Sequence, residues 1–154
     1  MCTGVRFADA AGNLYFGRNL DWCESYGEGV VITPRGASIP TQFLGSLSPE
    51  HACVGMGIVV GGVPCYFDCA NEAGLAIAGL NFPGYAQFAE APEKGAVNVA
   101  AYEFPLWVAA SFSTVAEVRK ALKDVVIVAK APSEGYGVAQ LHWLVGDGKE
   151  SIVI

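Results

Sequence analysis

Charge is scarce in this chain. Only 16% of its 154 residues are charged against 53% hydrophobic, and the 9 basic residues are outnumbered by 15 acidic ones. So apolar a composition excludes a disordered chain. The net charge of -6 argues against nucleic acid or an anionic membrane as the main partner. Histidine is nearly lacking: His51 and His142 lie far apart and far from the cysteines of "CYFDC". No metal-ligand spacing emerges from them, so neither a metal nor another cofactor is expected. Long hydrophobic runs are missing as well. A spanning helix needs about 20 continuous apolar residues, and the longest uncharged stretches, residues 51–67 and 73–89, are broken by Gly61, Gly62, Pro64, Asn81 and Pro83. Membrane insertion is not expected. Nor does a basic start followed by an apolar run open the chain, so no secretory signal is expected. The cysteines, at 2, 23, 53, 65 and 69, are odd in number, which favours free thiols in a reducing cytoplasm over a disulfide framework.

What is present reads as one domain, 1–154, of α+β class. Residues 2–8 and 14–20 alternate in the manner of strands around the turn cluster "DAAGN", a hairpin signal. Further strands are expected at 29–33, 53–60, 65–70 and 75–80, with turns at 34–36, 61–64 and 71–74. Residues 100–112 carry apolar side chains at helical spacing, with Pro105 either in the first turn or marking a break. Thr114 with Glu117 forms a capping box for a helix to about Lys123. Strands return at 125–129, 140–145 and 151–154, the last two joined by the turn 146–149. Hairpins, then helices, then strands place helices on the faces of an antiparallel sheet. The end, "SIVI", is an apolar strand half rather than a polar tail, so a fragment of a longer domain is expected.

The opening hairpin brings chemistry together. A turn centred on Ala11 and Gly12 makes paired positions sum to about 23, setting Cys2 opposite Asp21 and Arg18 near Val5. Removal of Met1 would leave Cys2 with both a thiol and a free α-amine. An α-amine titrates near pH 8, so about neutrality part of it can accept a proton, and a nucleophile with its own base suits acyl transfer. Asp21 could hold that amine, while a guanidinium such as Arg18 favours a thiolate. A surface ion pair between Arg18 and Asp21, with Cys2 as a packed small hydrophobe, is the plainer alternative.

The stretches "MCTGVRF", "YFGRNLDW", "FDCANEAGLAIAGLNFPGYA", "EFPLWVAASF" and "LHWLVGDGKESIV" closely resemble the choloylglycine hydrolases, bacterial bile salt hydrolases in particular. The resemblance runs from Met1 to Ile154. It implies an N-terminal-nucleophile hydrolase, an αββα sandwich of two antiparallel sheets between helical layers. The implied reaction is cleavage of the amide joining a bile acid to glycine or taurine. It implies Cys2 as nucleophile, Arg18 and Asp21 beside it, and Asn81 lining the acyl site with a backbone N–H for the oxyanion. Leu20 and residues 22–27, 58–65 and 129–139 correspond to the loops around a steroid pocket. The family's penicillin V acylases have a tyrosine where this chain has Asn81, which favours a conjugated bile salt as substrate. A homotetramer is a further implication, as is a longer chain with another catalytic asparagine and arginine past residue 154. Residues 1–154 are thus expected to be the N-terminal part of the domain, aggregation-prone and by itself hydrolytically silent. Alternatives are a penicillin V acylase-like amidase, a fragment that only binds sterol-like amphiphiles, and a module built on the surplus cysteines.

Overall fold

The computed structural model describes residues 2–154; the expected loss of Met1 lies outside them. The elements in chain order are β1 (Thr3–Ala8), β2 (Leu14–Asn19), β3 (Gly29–Thr33), β4 (Ile39–Thr41), β5 (Gly45–Leu47), β6 (Cys53–Val60), β7 (Val63–Asn71), β8 (Ala76–Asn81) and β9 (Val97–Ala100). They are followed by α1 (Phe104–Ser111), α2 (Val115–Ala121), β10 (Val125–Val128), β11 (Leu141–Gly146) and β12 (Ser151–Val153).

Most expected strands form, with specific departures. The opening hairpin is shifted by one residue: Arg18 stands opposite Gly4 rather than Val5, and Asn19 opposite Thr3. Asp9 sets this register. Its carboxylate accepts from the N–H groups of Ala11 (2.9 Å) and Asn13 (2.8 Å), and its N–H donates to the Asn13 carbonyl at 2.9 Å. The loop therefore spans residues 9–13 and centres on Ala11, with Gly12 at φ 83°. A one-residue slip turns every side chain of a strand to the other face, so Arg18 now shares the alternation of Cys2 and Gly4. The helix expected over 100–112 starts only at Phe104, because residues 97–100 form β9; Pro105 sits in its first turn, where its missing N–H costs nothing. The capping box of Thr114 and Glu117 is formed, and α2 stops at Ala121. Strand β7 begins at Val63, with Pro64 at the start of the strand, where proline is tolerated. The short pair β4–β5 and the parallel pair β9–β10 were not expected from the sequence.

Six strands form an antiparallel sheet in the order β12-β11-β8-β7-β6-β3. One face is covered by α1, whose residues Phe104 to Ala110 are all buried; a helix apolar on all sides belongs in an interior. Phe104 stacks obliquely on Trp143 of β11, ring centroids 4.7 Å apart. The side chain of Asn71, 7% exposed, ties sheet to helix: Nδ2 donates to the carbonyls of Ala109 (2.8 Å) and Phe112 (2.7 Å). Its Oδ1 accepts from Ala73 (3.0 Å) and Leu75 (3.1 Å). Asn71→Ala should therefore cost about 2–4 kcal/mol, since four backbone groups lose their bonds, two of those bonds being buried, read from the urea unfolding midpoint. A loss below about 0.5 kcal/mol would show that water replaces the amide at no cost.

The β1–β2 hairpin lies on the other face. A Cβ on Gly4 would stand 2.9 Å from Leu144 Cδ2, and one on Gly146 3.2 Å from the Phe16 ring, so glycine permits this close approach. The hairpin covers only part of the sheet. Beside it Val30 and Ile32 remain 71% exposed, paired with the exposed Met56 and Val54, an uncovered apolar patch.

Candidate active site

The sheet divides on purpose between its two central strands. Strands β7 and β8 pair only at Asp68↔Ala78, Cys69↔Ile77 and Ala70↔Ala76. Beyond that point β8 follows β11, through Gly79↔Trp143 to Asn81↔Leu141, while β7 follows β6. A bulge accompanies the parting: Met56 pairs with Asp68 and Gly57 with Tyr66, leaving Phe67 as the extra residue. Bulges bend a strand and end its pairing, and they recur beside active sites.

Arg18 fills the opening. Its Nη2 donates to the carbonyl oxygens of Phe67 (3.2 Å) and Gly79 (3.0 Å), one on each parting strand. Its Nε lies 3.2 Å from Asp68 Oδ2, an ion pair rather than an aligned hydrogen bond, and the side chain is 7% exposed. The ion pair of Arg18 is thus made with Asp68, which sequence reasoning missed. A signal was available: Asp68 is the one charge in the otherwise apolar β7 run "VPCYFDCAN". Burial raises the Asp68 carboxyl above its usual range, opposed by the charge of Arg18.

A groove of about 770 Å³ runs along this split, lined by Cys2, Arg18, Leu20 and Asn81 together with residues of the three expected loops. Ligand pockets of drug-sized molecules fall at about 300–1,000 Å³. Its walls include Trp22, Tyr26, Phe67 and Tyr136; Tyr26 meets the Phe67 ring edge-on at 6.2 Å and the Tyr136 ring at 6.1 Å. Cys2 is half-buried there. Asn81 ends β8, where the next N–H, that of Phe82, donates to the Gln140 carbonyl at 2.8 Å. Successive N–H groups of a strand point to opposite sides, so the N–H of Asn81 is turned toward the split. Asp21, expected opposite Cys2, lies beyond the end of β2 in an exposed position between the groove residues Leu20 and Trp22.

All five cysteines are unbridged, and among the described residues no three His, Cys, Asp or Glu side chains come together as a metal site. Burial pushes the thiol of Cys53 up to about 11 and that of Cys65 to about 12, and raises Cys69 well above the usual range. Brief iodoacetamide treatment at neutral pH should therefore label only Cys2 and the exposed Cys23, because thiolate is the reacting form. Cys2, which lines the same groove as Arg18, should lead. Peptide mapping decides; prompt labelling of Cys65 or Cys69 would contradict the packing described.

The profile of linear amide C–N hydrolases of the choloylglycine hydrolase family matches residues 2–154. A conjugated bile acid hydrolase of Lactobacillus gasseri is 53% identical over 154 residues, covering 100% of this chain and 49% of that protein. The crystal structure of the C2A variant of the conjugated bile acid hydrolase from Clostridium perfringens superposes with a TM-score of 0.93 at 37% identity, over 99% of this chain and 47% of that one. Penicillin V acylase from Agrobacterium tumefaciens shares the fold, with a TM-score of 0.74 at 18% identity over 100% of this chain and 49% of that one. The chain spans about half the length of the curated relatives it matches.

Proposed function

The chain belongs to the choloylglycine hydrolase family of linear amide C–N hydrolases, and from that premise we propose that the intact protein cleaves the amide of glycine- or taurine-conjugated bile acids. One observation carries the reading: Cys2, Arg18 and Leu20, at the open end of the β1–β2 hairpin, and Asn81, at the end of β8, line one largely apolar groove. An amphipathic steroid amide needs such a surface, with a few placed polar groups at one end.

In the proposed mechanism Met1 is removed and Cys2 becomes the N-terminal residue. Its thiol gives a proton to its own α-amine, and Sγ attacks the amide carbonyl. Arg18 favours the thiolate and Asp21 holds the amine. The N–H of Asn81 receives charge developing on the carbonyl oxygen, a service worth about 3–4 kcal/mol where such a donor has been removed elsewhere. The ammonium returns its proton to the leaving nitrogen as the C–N bond breaks, releasing glycine or taurine. Water then cleaves the thioester and restores Cys2. Leu20 and the aromatic walls take the steroid face.

Residues 1–154 are proposed to form the N-terminal part of the family domain. Their coverage of about half the relatives' length and the uncovered patch of Val30, Ile32, Val54 and Met56 support this. A cytoplasmic site fits five unbridged thiols. No described helix is long and apolar enough to cross a membrane. A homotetramer of the intact protein is tested by light scattering. The substrate is tested by release of free glycine or taurine from glycocholate and taurocholate, with penicillin V as competitor. Faster cleavage of penicillin V would transfer the reading to the acylases.

A further inference from the structure

Arg18 is enclosed to a degree that its neighbours do not require. Its side chain is 7% exposed, against 66% for Arg35 and 57% for Arg119. A guanidinium brings five N–H donors and a permanent charge. Here Nη2 takes the carbonyls of Phe67 and Gly79, whereas Nη1 is buried without a partner. Carbonyls satisfy donors but do not offset charge, and a charge this far from water is retained only beside an opposite one. Asp68 is the carboxylate that meets it. It also follows Phe67 directly in β7, so consecutive residues at the bulge hold two sides of the guanidinium.

We propose that Asp68 is the positioning residue of Arg18: with the carbonyls of Phe67 and Gly79 it pins the guanidinium in the split between β7 and β8, at the head of the groove. Without that carboxylate the guanidinium turns out along the groove toward water. The proposal rests on the proposed function only in taking Arg18 to act on Cys2.

Covalent labelling with phenylglyoxal tests the positioning without any substrate. In the unaltered protein Arg18 should react at least about tenfold more slowly than Arg119, as a pinned and buried group does. Asp68→Asn should bring the two within about threefold, because an amide keeps the shape but loses the charge. Cys69 should stay unlabelled by iodoacetamide in that variant, which separates release of Arg18 from general unfolding. Equal protection of Arg18 with and without the Asp68 charge would overturn the proposal. Should Asp68→Asn fail to fold, the ¹⁵N spectrum of arginine side chains in the unaltered protein serves instead. Separate, slowly exchanging Nη signals for Arg18 support the pinned state, and averaged signals like those of Arg119 overturn it. The iodoacetamide rate of Cys2 in Asp68→Asn then reads the link to the chemistry. A fall of about tenfold supports both assignments. A freed Arg18 with an unchanged Cys2 rate leaves the positioning standing and instead removes Arg18 from the mechanism proposed above.

Discussion

Cys2→Ser is expected to lower the turnover of glycocholate and taurocholate by the intact protein by about 10³-fold or more, since the nucleophile's removal disables the whole constellation at once. A hydroxyl is far harder to deprotonate than a thiol, and an α-amine titrating near pH 8 is matched to the second and not to the first. The fall should lie in kcat, with KM changed by less than about threefold, because the apolar walls proposed to take the steroid are untouched. Stability should stay within about 0.5 kcal/mol, as Cys2 precedes β1 and is only half-buried. Steady-state release of glycine or taurine and a urea melt provide the check. Cys23→Ser is the informative companion: it should retain activity, and if it were the dead variant the nucleophile would be misassigned.

Gly55→Ala should produce the largest loss of stability of any single methyl added to this sheet, about 3 kcal/mol or more, because overpacking against a backbone cannot be relieved by a rotamer change. A Cβ on Gly55 would stand 2.0 Å from the Asp68 carbonyl oxygen and 2.6 Å from Cys69 Cα. Strand β6 would have to move off β7 at the bulge that displaces Phe67 and aims Asp68 at Arg18. Site and fold should therefore fail together, with Arg18 losing its protection as the melting midpoint falls. Gly29→Ala is the control. It lies on β3 at the edge of the sheet with no atom within 4 Å of the added carbon, and should change stability by less than about 0.5 kcal/mol. A Gly55→Ala protein as stable as this control would mean that β6 and β7 are not so closely apposed.

Alternation and turn chemistry made most strands of the large sheet legible, as at β3, β6, β8 and β11, because each carries an apolar face bounded by Gly, Pro or Asn. The short pairs escaped for want of length: three-residue strands such as β4 and β5 have no period to read. The hairpin register escaped for a different reason. Whether the loop centred on Ala11 or between Ala11 and Gly12 depended on the Asp9 carboxylate capturing two N–H groups, a local choice between turn geometries that the turn composition leaves open. That half-step placed Arg18 on the alternation of Cys2. Asn81 had no chemical signal of its own; only the family resemblance singled it out, and the position of its N–H follows from where β8 leaves β7. Asp68 was visible as a lone charge in an apolar strand, but its partner lies 50 residues earlier in the chain, on the hairpin of the opposing layer.

The central claim is that the Cys2 thiol carries the acyl group of a conjugated bile acid. Rapid acid quench of the intact protein during turnover of glycocholate, followed by peptide mass analysis, tests it directly. The account predicts a cholyl thioester on a peptide that begins at Cys2, in place of Met1, and on no other cysteine. Turnover with Met1 retained, or with the cholyl group on Cys23, would contradict it.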